Sequence, residues 1–263
     1  MSRIIHLSDL HFGKDRPDLL GPLEGSVNGL NAELVVISGD LTQRARNHQF
    51  AAARDFIEKI NAPVLTVPGN HDILLHRPLT RFFAPWRRYR KWINTDLTPE
   101  FETDSMIVIG LNSVDRFAWQ AGRVSARRLH HACTAMENAP SHKARVIVMH
   151  HPLQHPEGSH KTPARGSEKA LGQLLSSGVD MIMSGHLHIW HAENFEVTSG
   201  KHSAVQLHAG TSLSTRVRGE PNDFNVVDIS PEFFGVQRLS FDEDKQQFET
   251  TEARQFSRAS VKS

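Results

Sequence analysis

Six apolar runs rich in β-branched residues recur along this 263-residue chain, at Ile4–Leu7, Leu34–Ser38, Val64–Val67, Met106–Leu111, Val146–Met149 and Val179–Met183. Periodicity alone does not separate such short runs from buried helix. The Pro, Gly and Asn residues that bound them, and their branched side chains, favour buried strands. Helical spacing lies between them, most clearly at His48–Ile60, Ala126–Glu137 and Glu168–Ser176. Ser125 and Ser167 are placed as N-caps, and Gly178 is placed to stop the third helix. Strands alternating with helices predict an α/β layered fold whose helices cover sheet faces. Beyond residue 190 the pattern changes. Val205–His208, Asn225–Ile229 and Phe234–Leu239 follow one another across Gly, Pro and Asn turns with no helix between them, which predicts a second, more antiparallel sheet packed on the first. No repeat or long linker divides the chain, so 1–251 is expected to form one domain and 252–263, rich in Ser, Arg and Lys, a frayed tail.

Lys and Arg total 30 against 29 for Asp and Glu, so bulk charge gives no case for specific nucleic-acid binding. Cys133 is the only cysteine, which excludes an intrachain disulfide and thiolate metal clusters. Its spacing from Leu129 and Met136 reads as a buried helix position. The chain enters a strand pattern almost at once, without a signal-peptide pattern, and it holds no apolar run of membrane-spanning length. A reducing cytoplasm is the expected setting.

Five polar clusters follow the apolar runs: Asp9-Leu10-His11, Gly39-Asp40, Gly69-Asn70-His71-Asp72, His150-His151-Pro152 and Gly185-His186-Leu187-His188. Side chains two apart in an extended segment share a side, so Asp9 with His11, and His186 with His188, can each approach one ion. Asp40 has two carboxylate oxygens able to bridge two cations, Asn70 offers an amide oxygen, and Gly69 permits close backbone approach. Taken singly, each pair is a commonplace of turns and caps. Their joint occurrence, each after a strand-like run, points to one cleft holding two metals.

In order and content this series resembles the calcineurin-like metallophosphoesterase superfamily over residues 9–188, and the opening His-Leu-Ser-Asp-Leu-His-Phe resembles its bacterial class III cyclic-nucleotide and glycerophosphodiester phosphodiesterases. The resemblance implies a four-layer α-β-β-α sandwich of two mixed sheets flanked by helices. It implies one metal on Asp9, His11, Asp40 and His188, and a second on Asp40, Asn70, His150 and His186, with Asp40 bridging. It further implies His71 as general acid or leaving-group stabiliser, and a reaction by in-line attack of a metal-bridging hydroxide on a small phosphodiester. Two divalent or trivalent ions are expected, with Mn, Fe or Zn suiting the mixed donor set. Asp72 is read as orienting His71 or the loop, or as a purely structural carboxylate, and His151 as a ligand's neighbour.

The stretch from His76 to Trp92 carries Arg77, Arg81, Arg87, Arg88, Arg90 and Lys91 among Phe82, Phe83, Trp86, Tyr89 and Trp92, with no acid between Asp72 and Asp96. Pro85 is expected to split it into two short helices. Within a cap-like insertion over 73–98, this segment reads equally as a substrate cap, a peripheral membrane or lipid contact, or a structural cover whose basic stems snorkel. Gln43 with Arg44, and Arg216 with Arg218, are weaker substrate-facing candidates. The alternatives to a phosphodiesterase are a lipid-precursor pyrophosphatase resembling the UDP-diacylglucosamine hydrolases and, from another class, a non-catalytic binding or scaffold protein on the same fold. A homo-oligomer is compatible with the sequence.

Overall fold

The computed structural model describes residues 2–74, 78–118, 120–155, 163–196 and 203–258. Among the described residues, twelve strands form two six-stranded sheets. In the first, β1 (Ser2–Leu7), β2 (Leu34–Ile37) and β3 (Val64–Thr66) run parallel, and β10 (Asp223–Ile229), β11 (Phe233–Asp242) and β12 (Gln247–Ser257) extend it antiparallel beyond β1. In the second, β5 (Met106–Leu111), β6 (Ala144–Met149), β7 (Met181–Ser184) and β9 (Ser203–His208) are parallel, with β4 (Glu100–Glu102) and β8 (His191–Glu196) antiparallel at the edges.

The period-2 geometry of strands explains why the runs read as continuously apolar. Ile4, Leu34, Val36, Val108, Val146, Val148 and Met183 point between the sheets. Their neighbours Ile5, Val35 and Ile37 point outward under α1 (Leu20–Gly29), α2 (Asn47–Ile57) and Tyr89. On the other side Ile107, Ile109, Ile147 and Ile182 meet Leu129, Cys133 and Met136 of α5 (Ala126–Asn138) and Leu174 of α6 (Ser167–Ser176). This is the expected four-layer α-β-β-α sandwich.

Several expectations change in detail. The late strands do not build a sheet of their own: β9 inserts in parallel beside β7, whereas β10 pairs with β1. A crossover between layers carries no composition signal, so turn spacing alone cannot reveal it. Residues 252–257 are not a frayed tail. They close β12 against β11, where Phe256 opposite Phe234 packs into the intersheet core. The N-cap of α6 is Gly166 in the left-handed region, not Ser167, and Gly178 (φ 81°) ends that helix as expected. Helix α1 escapes the sequence pattern because it contains Gly21, Gly25, Gly29 and Pro22, all poor helix formers, and burial of Leu23 and Val27 holds it instead.

Pro85 does separate two short helices, α3 (Pro78–Phe83) and α4 (Arg87–Trp92). Helix α4 is a structural cover: Tyr89 is fully buried with its hydroxyl 2.7 Å from Thr66 Oγ1, and Trp86 and Trp92 pack on the same core. His76 and Arg77 lie outside the described residues. Among the described residues no helix is long and apolar enough to cross a membrane.

Candidate metal centre

The C-terminal ends of the parallel strands of both sheets open on one rim, the place where α/β folds bind ligands. The loop after β1 carries Asp9 and His11, that after β2 Asp40, and that after β3 Asn70 and His71; β6 leads to His150 and β7 to His186 and His188. The structure brings all seven candidate ligands together, and all are buried.

They form two groups joined by one carboxylate. Asp9 Oδ1 lies 3.4 Å from His11 Nε2 and 3.0 Å from His188 Nε2, whose nitrogens are 3.2 Å apart. Asn70 Oδ1 lies 3.1 Å from both His150 Nε2 and His186 Nδ1. Between them, Asp40 Oδ2 stands 3.6 Å from His11 Nε2 and 3.4 Å from His150 Nε2. His151 also approaches His150 and His186 within metal-binding separation, while its Nδ1 sits 3.0 Å from Ser113 Oγ.

Five of the seven occupy the left-handed backbone region: Asp9 (φ 53°), His11 (50°), Asp40 (52°), His186 (69°) and His188 (58°). Non-glycine residues adopt it at a cost of order 1 kcal/mol each, which the surrounding fold must offset. The turns that aim these side chains are held by close backbone packing. A Cβ on Gly69 would stand 2.2 Å from the Asp40 backbone nitrogen and 2.1 Å from its Oδ1. Gly69→Ala is therefore expected to lower bound metal, with a melting-point drop of several degrees from about 1–3 kcal/mol of overpacking. Metal analysis beside a thermal melt checks this; unchanged metal content would refute it.

Carbonyl groups fix the imidazoles. His150 Nδ1 donates to Ser38 O at 2.8 Å, and His188 Nδ1 to Arg216 O at 2.8 Å, so each ring turns Nε2 toward the carboxylates. Burial pushes His11 down to about 4, keeping its ring neutral. Burial opposes charge on His150 too, but Asp40 outweighs it and lifts the ring to about 9. A proton therefore sits where a cation would, and metal uptake must release it. Burial alone would raise Asp40; the facing His150 above all instead holds it well below the usual carboxylate range. Asp9 Oδ1 is buried and takes no hydrogen bond among the described residues. Ionised carboxylates, an orphaned carboxylate oxygen and inward imidazole nitrogens are a donor set that fits two metals.

Asp72 proves structural. Its carboxylate accepts from the backbone N–H groups of Leu41, Thr42 and Gly69 and from Thr42 Oγ1, stapling the Asp40 loop to the Asn70 loop. Burial, and then the charge of Asp40, raise it to about 7. Sequence reading missed a buried chain behind Asp9: Ser8 Oγ donates to Asp9 Oδ2 at 2.6 Å, Ser38 Oγ donates to Ser8 Oγ at 2.9 Å, and His6 Nε2 lies 2.9 Å from Ser38 Oγ. Polar residues at strand ends, against the apolar alternation, were the available signal.

The family model for calcineurin-like phosphoesterases matches residues 2–190. The chain belongs to that family. A glycerophosphodiester phosphodiesterase, GpdQ, of Enterobacter lignolyticus is 31% identical over 80 residues, covering 26% of this chain and 29% of its own. A UDP-2,3-diacylglucosamine pyrophosphatase, LpxG, of Chlamydia muridarum is 33% identical over 73 residues, covering 27% and 22%. The matches thus span under a third of those two relatives. Among solved structures, a purple acid phosphatase from yellow lupin superposes with TM-score 0.71 at 13% identity, over 98% of this chain and 54% of that one. GAP50 of Plasmodium superposes with TM-score 0.66 at 14% identity, over 99% and 90%. At such identities these structures share the fold.

Proposed function

We propose that this chain is a dinuclear-metal phosphohydrolase cleaving a small phosphodiester. The observation that carries the reading is one oxygen of Asp40 set between two buried donor groups. One ion would take Asp9, His11, Asp40 and His188, and the other Asp40, Asn70, His150 and His186. Two ions held there supply an activated water and neutralise charge on the phosphoryl group. The chain's residues orient the ions through the Ser38 and Arg216 carbonyls, exclude bulk water by burial, and present His71 at the half-buried edge, its Nδ1 donating to Gln43 O at 2.9 Å. The stretch matching GpdQ supports a diester substrate. Mn(II)-loaded protein is expected to hydrolyse bis-p-nitrophenyl phosphate faster than p-nitrophenyl phosphate. Preference for the monoester would remove the diesterase reading, and no turnover of either with Mn, Fe, Zn, Co or Ni would remove the enzyme.

A second reading, a lipid-precursor pyrophosphatase, is favoured by one surface. Leu79 and Phe83 on α3 are 74% and 83% exposed, and Phe82 packs at a tilt against the exposed Phe117 with ring centroids 5.6 Å apart. Arg81 fastens this ridge through the Arg116 and Ala118 carbonyls. Beside it Arg87, Arg88 and Lys91 line a cavity of about 260 Å3. Such a surface suits acyl chains next to a phosphate. A screen of glycerophosphodiesters, cyclic nucleotides and nucleoside-diphosphate lipids separates the two readings.

A further inference from the structure

Arg216 reaches the centre from the turn between β9 and β10, outside all five motifs. Its Nη1 lies 3.1 Å from His71 Nε2 and 3.5 Å from His11 Nε2. The turn is tied to the Asp9 loop: Thr211 Oγ1 donates to Asp9 O at 2.7 Å, Ser212 N to Ser8 O at 3.0 Å, and Thr215 N to Lys14 O at 2.8 Å. The main chain of Arg216 is pinned as well, its N–H donating to Ser214 Oγ at 3.0 Å and its carbonyl accepting from His188 Nδ1 at 2.8 Å. The guanidinium is therefore delivered from a fixed base to the same edge as His71.

Among the described residues no carboxylate forms an ion pair with it. A guanidinium carries five N–H donors and no acceptor, and two imidazole nitrogens use that capacity poorly. Under the metal reading His11 gives its inward nitrogen to an ion, and the donor facing it then lacks an acceptor. A further cation beside two metals is favourable only if an anion lies between them. The planar fork of Arg matches a phosphoryl group, whose non-bridging oxygens accept in pairs.

The geometry points to Arg216 as the arm that binds a non-bridging oxygen of the scissile phosphoryl group. This rests on the phosphohydrolase reading, with the substrate's phosphate as ligand. Arg218, two residues on and exposed, forms no hydrogen bond or ion pair with the clustered donors among the described residues and serves as the control.

The test uses full-length Mn(II)-loaded wild type, Arg216→Ala, Arg216→Lys and Arg218→Ala. It measures metal content, KM and kcat on bis-p-nitrophenyl phosphate, and calorimetric binding of inorganic phosphate. Arg216→Ala is expected to keep its metal, to raise KM and to weaken phosphate binding by about 10- to 100-fold, the worth of a charge-assisted hydrogen bond. Arg216→Lys should recover part of that loss, and Arg218→Ala should match wild type. Phosphate affinity equal to wild type in Arg216→Ala, or a loss confined to kcat, would overturn the proposal. So would phosphate binding lost only in proportion to lost metal. If wild type turns over no ester yet binds phosphate through Arg216, the hydrolase reading fails and the anion arm stands.

Discussion

Asp40→Asn is expected to abolish paired metal binding and to lower diester turnover by more than about 100-fold while the protein stays folded. Even partners one layer behind a metal cost 10–100-fold when removed, so the shared carboxylate sets a higher floor. Asparagine is the informative replacement. Asp40 sits at φ 52°, a left-handed conformation that Asn tolerates and Ala does not. The amide oxygen can still accept the His71 backbone N–H now held at 2.8 Å by Asp40 Oδ1. What is lost is the negative charge that the facing His150 above all keeps ionised against burial. The His11 and His150 groups then have no common anion. Metal stoichiometry, circular dichroism and turnover of bis-p-nitrophenyl phosphate check this together. Two metals retained with full turnover would sink the bridging role. Asp40→Ala adds roughly 1 kcal/mol of backbone strain, so its further loss in melting temperature over Asn separates conformation from charge.

The sequence was most legible where one physical rule acted alone. Strands such as Val35–Ile37 and Val146–Met149 are buried on both faces, so their apolar content announced them, and the polar residues after them marked the rim. Pro85 marked its break because a ring without an N–H cannot continue a helix. Long-range partnership was less visible. Nothing local distinguishes β9, which joins β7, from β10, which joins β1. Residues 252–257 read as tail because their solvent face is polar, although the other face seats Phe256 in the core. In the site, residue type revealed the donors but not their backbone strain. It also left Asp72 ambiguous, because whether it meets His71 or three backbone N–H groups depends on how two loops dock.

His71→Ala should keep both metals and lose turnover in proportion to how badly the leaving group needs a proton. His71 Nδ1 donates to the Gln43 carbonyl at 2.9 Å, which places the Nε2 lone pair against Arg216 Nη1 at 3.1 Å. In this arrangement Nε2 accepts. Proton donation from Nε2 requires a second proton on the ring, and Nε2 is open to that role only when Arg216 turns away from it toward an anionic phosphoryl group. A general acid contributes about 10²–10⁴-fold. That loss should appear in full with an alkyl leaving group and largely vanish with p-nitrophenolate, which departs unprotonated. The competing role is explicit, since His71 also has a ring nitrogen close enough to His11 and Asp40 to share an ion. Metal analysis decides between them: a drop from two ions to one makes His71 a ligand. An equal loss for both leaving groups, with metal intact, would make it an orienting group instead of an acid.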